Sequence, residues 1–200
     1  MHDDGRRWNE RYATTGAIKA HAPDVVERWP DLTALVPSTG RCLDVASGPG
    51  SITLWLAGRG LDVTALDASS VAIDLLQAAA TAVGCGERVD ARIVDLDDGL
   101  PGDLRDLDLL VCQRFRDPSL YAAIVDRLAI GGVAMITVLS TVGSREPGPF
   151  HAQPGELRTA FTNERCEILH DSEDAGLAHA VIRRCGAVQE PCSSTSRSAS

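Results

Sequence analysis

The chain has 200 residues, a length that suits one domain with a sizeable core. Hydrophobic residues make up 44% and charged residues 24%, which is typical of soluble globular proteins. The formal net charge of −9 argues against a nucleic-acid backbone as the main partner. No apolar run approaches the roughly 18–20 residues that span a bilayer, and no apolar core follows the charged amino terminus. We therefore expect a cytoplasmic protein with no membrane partner.

Six cysteines are spread along the chain, and no two of them form a C-x-x-C pair. They sit mainly in apolar runs, which predicts buried free thiols in a cytosolic chain. The spacing matches no zinc-ligand pattern, so we expect no metal site. The six positions are Cys42, Cys85, Cys112, Cys166, Cys185 and Cys192.

Residues 1–40 precede the first predicted strand. The sequence WNERY at residues 8–12 indicates a short helix, which Gly16 ends. From Pro23 to Leu35, apolar residues recur every three or four positions and predict a helix with one buried face. Pro30 falls inside that segment and is expected to divide it into two short helices.

The stretch from residue 41 to residue 70 predicts a strand, a glycine turn, a helix, a second strand and an acid. The apolar runs Cys42–Ala46 and Leu61–Leu66 are the strands, and Ser51 opens the helix between them. The glycines of the turn let the backbone pass close to a ligand, and the helix start offers unpaired N–H groups. Asp67 ends the second strand, where it can bind two ribose hydroxyls. The stretch therefore predicts a nucleoside-bearing cofactor.

The details of the turn distinguish between nucleoside cofactors. A dinucleotide fingerprint requires a third glycine where this chain has Thr53, and a P-loop requires a lysine that is missing here. The pattern present is Asp44-x-Ala46-x-Gly48-x-Gly50. It resembles motif I of the class I S-adenosylmethionine-dependent methyltransferases. An alternative stays open at this point, in which the glycines serve only the turn.

Two further strands are predicted in the middle of the chain. Ser69 to Val83 forms a helix, and Val89–Leu96 forms the third strand. The resemblance implies that Asp95 ends this strand beside the adenine. The acidic turn that follows lacks the ligand spacing of an EF-hand. Leu107–Cys112 is the fourth strand.

The second half of the chain predicts one more parallel strand and a terminal hairpin. A helix opens at Pro118 and ends at the glycine pair 131–132, and Val133–Leu139 is the fifth strand. Residues 140–155 form a long loop rich in glycine and proline, which is usually functional or mobile. A short helix at Glu156–Phe161 follows. Two strands then fit an antiparallel hairpin, Cys166–Asp171 and Leu177–Arg183.

Repeated strand–helix steps with short loops predict a parallel sheet with helices on both faces. The resemblance covers roughly residues 8–185. It implies an α/β, Rossmann-like, doubly wound sheet of about seven strands, mostly parallel with an antiparallel C-terminal hairpin. We expect one domain at residues 1–185, with an N-terminal helical lid segment at 1–40 and the sheet core at 41–185. Residues 186–200 are rich in serine and are expected to be disordered.

The WNERY segment resembles the N-terminal lid of the tellurite-resistance and thiol methyltransferases, which act on small molecules. In that group, aromatic and arginine side chains close over the methionine half of the cofactor. The resemblance therefore implies that Trp8, Arg11 and Tyr12 contact the cofactor. Ordinary packing of these side chains against the domain is an equal alternative.

The resemblance also implies the cofactor, S-adenosyl-L-methionine, its product S-adenosyl-L-homocysteine, and further contacts. The implied contacts are Asp44 with Ala46, Ser47, Gly48 and Gly50 at the methionine part, Asp67 with Ala68 at the ribose, Asp95 and Leu96 at the adenine, and Gln113 and Arg114 near the sulfonium.

The implied reaction is methyl transfer to a small-molecule acceptor. A hydroxyl acceptor needs a general base, for which His151 is the first candidate and His21 the second. Arg114, the other candidate catalytic residue, could bind an anionic substrate, as could Arg116 and Arg145. The segment after the fourth strand lacks the Asn/Asp-Pro-Pro-Tyr/Phe tetrad of many base and glutamine methylases. That lack, with the negative net charge, favours a small molecule over a nucleic acid.

Two other function classes stay open. A nicotinamide-dependent oxidoreductase would use the same strand–glycine–helix–acid unit, although Thr53 counts against it. A non-catalytic S-adenosylmethionine-binding protein would have the same cavity without turnover. The sequence does not identify the methyl acceptor, and it leaves open a monomer or a homodimer.

Overall fold

The computed structural model describes residues 4–186. Seven strands form one sheet in the order β3-β2-β1-β4-β5-β7-β6. Strands β1 to β5 pair in parallel, whereas β7 runs antiparallel to β5 and to β6. This topology confirms the predicted fold class. The elements in chain order are α1 Asp4–Tyr12, α2 Asp24–Arg28, β1 Arg41–Val45, α3 Ser51–Ala57, β2 Asp62–Asp67, α4 Ser70–Ala82, β3 Val89–Ile93, β4 Leu107–Gln113, α5 Tyr121–Arg127, β5 Leu128–Leu139, α6 Glu156–Phe161, β6 Cys166–Asp174 and β7 Leu177–Arg184.

Helices cover both faces of the sheet, as predicted. Because side chains alternate along a strand, β1 directs Leu43 and Val45 to one face and Cys42 to the other. The first face packs against α5 and α6, and the second packs against α2 and α3. Pro30 divides the predicted helix at 23–35 as expected, into α2 and a 3₁₀ helix at Pro30–Leu35.

The position of the candidate site follows from the strand order. From β1 the chain moves outward to β2 and β3, and it then returns to β4 on the other side of β1. In open parallel sheets, ligands bind outside the carboxyl ends of the strands at such a reversal. The segments that follow β1, β2 and β4 meet at this place.

The boundary between α5 and β5 differs from the prediction. The strand begins at Leu128, ahead of the glycine pair that was expected to end the helix. Leu107 pairs with Leu128 but Leu109 pairs with Val133, so the glycines lie in a bulge of the strand. A Cβ on Gly132 would lie 2.4 Å from the carbonyl oxygen of Leu107. The glycine is therefore needed for the close approach of two strands rather than for ending a helix.

The end of the third strand was also predicted wrongly. Strand β3 stops at Ile93, and a 3₁₀ turn occupies residues 96–98. The Asp95 carboxylate accepts a hydrogen bond from the Asp97 backbone N–H at 3.1 Å. Asp95 therefore caps a turn beyond the strand, which is a common role for an Asp side chain.

The long loop at 140–155 is bonded to the neighbouring strands. The Ala152 N–H donates to the Leu139 carbonyl at 2.7 Å. The two oxygens of the Glu173 carboxylate accept from the Ser140 hydroxyl and from the Gly155 N–H. These bonds attach both ends of the loop to the β6–β7 hairpin.

Three cysteines are buried free thiols as predicted, namely Cys42, Cys112 and Cys166, whereas Cys85 is half-buried and Cys185 is exposed. Cys192 and nearly all of the tail predicted to be disordered lie outside the described residues. Within residues 4–186, no helix is both long and apolar enough to cross a bilayer.

Matched substitutions of valine test the core. Val111, in the middle of β4, is fully buried, whereas Val83 at the end of α4 is 64% exposed. We expect Val111→Ala to lower the free energy of unfolding by about 2 kcal/mol, because two buried methyl groups are lost. Val83→Ala should change it by less than about 0.5 kcal/mol. Urea unfolding of both variants measures this, and equal effects would contradict the described core.

Candidate active site

One cavity opens at the carboxyl ends of β1, β2 and β4. Its volume is about 540 Å³, within the range of about 300–1,000 Å³ that small-molecule sites occupy. Every residue that the sequence assigned to the cofactor lines it except Gly50. These lining residues are Trp8, Arg11, Tyr12, Asp44, Ala46, Ser47, Gly48, Asp67, Ala68, Asp95, Leu96, Gln113 and Arg114.

The turn after β1 forms one wall of the cavity. Ala46, Gly48 and Gly50 all have positive φ angles, of 54°, 53° and 89°. A Cβ on Gly48 would lie 3.0 Å from the Tyr12 hydroxyl oxygen on the cavity side. A Cβ on Gly50 would instead clash with Leu76, at 2.2 Å from its Cδ1. Gly50 therefore permits close packing of the turn on α4, which is a different role from the cofactor contact predicted for it.

Asp67 ties the end of β2 to two other segments. Its carboxylate accepts from the Gly48 N–H and from the Ser69 N–H, each at 2.8 Å. Burial raises the pKa of Asp67, and the two backbone bonds oppose that rise. A carboxylate oxygen can accept more than one hydrogen bond. Asp67 can therefore hold the turn and still accept hydroxyl groups from a ligand.

Asp44 is a second acid in the cavity wall, and it is only 1% exposed. Burial raises its pKa to about 7, although a hydrogen bond from Thr53 favours the charged form. The distance from the Thr53 Oγ1 to the Asp44 Oδ2 is 2.6 Å. Thr53 occupies the position where a dinucleotide fingerprint has its third glycine. The Thr53 side chain donates a hydrogen bond to Asp44, whereas a glycine at this position would leave space between the helix and the strand.

Helix α1 is held over the cavity by Asn9. The Asn9 Oδ1 accepts from the Ser69 hydroxyl at 2.7 Å and from the Val71 N–H at 3.2 Å. Asn9 therefore binds the first turn of α4, where backbone N–H groups lack helical partners. The Ser69 hydroxyl caps the same turn by accepting from the Ala72 N–H at 3.1 Å.

The aromatic side chains of α1 stack on each other at the edge of the cavity. The ring centroids of Trp8 and Tyr12 are 5.7 Å apart, and the Arg11 guanidinium lies 5.1 Å from the Trp8 ring. Burial and the nearby Asp67 raise the pKa of Tyr12 to about 12. In this arrangement the segment packs against the domain and also lines the cavity, so the two predicted roles are compatible.

The end of β4 is joined to α2 through Asp24. The Asp24 N–H donates to the Gln113 Oε1 at 3.0 Å, and the Asp24 carboxylate accepts from the Arg114 Nε at 2.8 Å. The Arg114 side chain is 63% exposed, whereas that of Asp24 is 15% exposed. Arg114 therefore reaches the cavity with its charge already paired.

The two candidate base residues differ in position. His151 does not line the cavity, because its ring is used within its own loop. Its Nδ1 accepts from the Gly148 N–H at 2.9 Å, and its Nε2 lies 3.4 Å from the Ser144 hydroxyl. His21 is the histidine that lines the cavity. Of the two candidates, the structure therefore brings His21 and not His151 to the cavity.

Arg116 and Arg145 lie away from the cavity lining. The Arg116 guanidinium makes two hydrogen bonds to the Glu156 carboxylate, at 2.7 and 2.8 Å. The Tyr121 hydroxyl donates to the same carboxylate at 2.9 Å. Arg116 therefore joins the segment after β4 to α6 and is not free for a substrate.

Comparison with known proteins agrees with this geometry. Residues 42–132 match a family model described as a methyltransferase domain. A putative methyltransferase, YqeM of Bacillus subtilis, is 38% identical over 61 residues, which are 30% of this chain. The match covers 24% of that relative, so the chain corresponds to about a quarter of its length.

Solved structures match over nearly the whole chain. TehB from Haemophilus influenzae is 22% identical with a TM-score of 0.63, and the match covers 90% of this chain and 66% of TehB. A geranyl diphosphate C-methyltransferase from Streptomyces coelicolor A3(2), solved with S-adenosyl-L-homocysteine, is 12% identical with a TM-score of 0.69. That match covers 92% of this chain and 97% of the other. The chain has the class I methyltransferase fold.

Several residues that shape this cavity were not predicted from the sequence. Asn9 was visible only as part of WNERY, and Asp24 only as an acid that follows a proline at a helix start. Phe115 and Leu139 line the cavity, but their apolar side chains gave no signal of function.

Within residues 4–186, no group of three or more His, Cys, Asp or Glu side chains is arranged to hold a metal ion.

The raised pKa of Asp44 predicts a pH dependence of stability. The folded pKa of about 7 lies above the value of about 3.9 for an unperturbed Asp. The folded state therefore binds more protons than the unfolded state between about pH 4 and pH 7. The contribution of Asp44 to stability falls as the pH rises through that range.

Asp44→Asn removes this titration. We subtract the free energy of urea unfolding of the wild type from that of the variant at each pH. We expect this difference to increase from pH 5 to pH 8, because only the wild type loses the contribution of the neutral Asp44. Taking the difference cancels the titration of all other groups to first order. A difference that does not change with pH would contradict the assignment of a buried, largely neutral Asp44.

Proposed function

We propose that this chain is an S-adenosylmethionine-dependent methyltransferase that acts on a small-molecule acceptor. The observation that carries the proposal is the convergence of the glycine turn, Asp67 and α1 on one cavity in the class I fold. We also propose that residues 1–185 form one domain in which residues 1–40 act as the lid segment.

The cavity suits the adenosine part of the cofactor. Asp67 keeps acceptor capacity beyond its two backbone bonds, so it can bind the ribose hydroxyls. Beside it, Gly48 keeps the backbone open to a close ligand, because a Cβ there would meet Tyr12. Leu96 is buried and offers an apolar surface to the adenine, while the exposed Asp95 can accept from its amino group.

The methionine part would lie against Asp44 and the turn that follows β1. A positively charged group in the cavity would favour the ionised form of the buried Asp44 carboxyl. The cofactor supplies a methyl group activated by its positively charged sulfur. The protein then needs chiefly to position the acceptor and exclude water. The stacked rings of Trp8 and Tyr12 cover one side of the cavity and suit that task.

The acceptor would enter between the end of β4 and the end of β5. Phe115 and Leu139 supply apolar surface there, and Gln113 and Arg114 supply polar groups. A guanidinium stays protonated in proteins and cannot act as a base. We therefore assign Arg114 to acceptor binding rather than to proton transfer, with Asp24 holding its side chain in place.

The nicotinamide alternative is less well supported. The third glycine of a dinucleotide fingerprint permits close packing of the helix on the strand. Here that position carries the buried Thr53, which donates to Asp44. The Thr53 side chain therefore fills the space between helix and strand that the dinucleotide arrangement keeps open with a glycine.

Cofactor binding tests the site with two matched variants on the same strand. We expect Asp67→Asn to weaken S-adenosylhomocysteine binding roughly tenfold to a hundredfold, the size of a lost charged hydrogen bond. Asp62→Asn, at the exposed start of β2, should bind like the wild type. Isothermal titration calorimetry measures both dissociation constants. Equal affinity of Asp67→Asn and the wild type would show that the site is assigned wrongly.

Turnover tests the enzymatic part of the proposal. The purified chain is incubated with S-adenosylmethionine carrying a tritiated methyl group and with a panel of small thiols, phenols and amines. We expect labelled product and S-adenosylhomocysteine in equal amounts with at least one acceptor class. Cofactor binding without transfer across the panel would favour a non-catalytic binding protein.

A further inference from the structure

His21 is placed differently from the other histidines that the structure describes. Its backbone N–H donates to the Ser51 carbonyl at 3.2 Å, which fixes the segment before α2 against the start of α3. Its ring lines the cavity that also contains Asp44 and Gln113. The side chain is 47% exposed, so the ring contacts both the cavity and solvent.

The hydrogen bond of the ring determines where its proton lies. The His21 Nδ1 is 2.8 Å from the carbonyl oxygen of Ala22. A carbonyl oxygen can only accept, so Nδ1 must carry the proton. In the neutral ring the other nitrogen, Nε2, is then an unprotonated acceptor. A backbone carbonyl that orients an imidazole in this way is a common arrangement for a histidine that handles protons.

We propose that the Nε2 of His21 is the general base that takes the proton from the O–H group of an alcohol or phenol acceptor. The inference rests on the proposed function and adds the chemical class of the acceptor to it. A hydroxyl group that reaches the cavity still carrying its proton is a weak nucleophile and requires such a base.

The transfer balances with His21 in this role. The lone pair of the acceptor atom forms the bond to the methyl carbon, and the pair of the broken carbon–sulfur bond stays on sulfur as the neutral thioether. The proton of the acceptor moves to Nε2, and the imidazolium passes it to solvent. The half-exposed ring allows that last step, and Nδ1 keeps its bond to Ala22 throughout.

The other titratable groups of the cavity suit the role less well. Both oxygens of Asp67 accept backbone bonds, and Asp44 is only 1% exposed and already accepts from the Thr53 hydroxyl. The raised pKa of Tyr12, about 12, keeps its hydroxyl protonated. The Glu27 Oε1 lies 3.8 Å from the His21 Nδ1. The charged residues that line the same cavity as His21 are Arg11, Asp44, Asp67, Asp95, Asp97 and Arg114.

The test compares two ligands that differ at the reacting centre. S-adenosylmethionine carries a positive sulfur, whereas S-adenosylhomocysteine has a neutral thioether. We expect the pH midpoint of the His21 ring titration, followed by NMR, to lie roughly one pH unit lower in the S-adenosylmethionine complex than in the S-adenosylhomocysteine complex. A unit positive charge about 10 Å from the ring lowers the midpoint by this amount at an effective dielectric constant of about 20. The spectrum of His21→Gln lacks the signals of the His21 ring, and comparison with the wild type therefore identifies them among those of the five histidines.

His151 provides the internal control, and its midpoint should be the same in both complexes. In the neutral free protein, the His21 ¹⁵N shifts should show the proton on Nδ1. An equal His21 midpoint in the two complexes would overturn the inference, because the ring would then lie away from the reacting centre. A midpoint raised by both ligands would also overturn it, because His21 would then bind the cofactor carboxylate as a cation. Failure of both ligands to bind in calorimetry would instead refute the proposed function.

Discussion

The cavity depends on the two backbone hydrogen bonds that Asp67 accepts. A buried carboxylate is costly unless its oxygens are satisfied, and the N–H groups of Gly48 and Ser69 satisfy them. These bonds join the end of β2, the turn after β1 and the start of α4 at one point. The positive φ angle of Gly48 lets the turn direct its N–H to the acid while it leaves space on the cavity side. The same acid can therefore support the fold and contact a ligand.

Helix α1 extends this network to the other side of the cavity. Asn9 bonds to the residues that begin α4, so the helix that carries Trp8 and Tyr12 is attached to the segment that Asp67 organises. A second connection, through Asp24, attaches α2 to the end of β4. The cavity is thus bordered by two N-terminal helices, α1 attached through Asn9 and α2 attached through Asp24, and the buried Val25 and Val26 also anchor α2 in the core.

Much of the fold and of the cavity wall could be predicted from the sequence, because both depend on local patterns. Apolar runs and glycine turns predicted the strands and the mostly parallel sheet, and the spacing from the turn to Asp67 predicted a ligand site at the strand ends. The predictions failed where a contact joins distant segments. Asp24 meets the end of β4, Gly132 relieves a close approach of two strands, and the loop of His151 is bonded away from the cavity while His21 is brought to it. Such pairings depend on tertiary geometry that a single sequence does not display.

The central claim is that the cavity binds the methyl-donor cofactor and not a dinucleotide. Calorimetric titration of the wild-type chain with S-adenosylhomocysteine and, separately, with NADH tests this claim most directly. The account predicts one binding site with a micromolar dissociation constant for S-adenosylhomocysteine and no measurable heat of binding for NADH. Binding of NADH without binding of S-adenosylhomocysteine would contradict it, and the turn and Asp67 would then serve a nicotinamide cofactor.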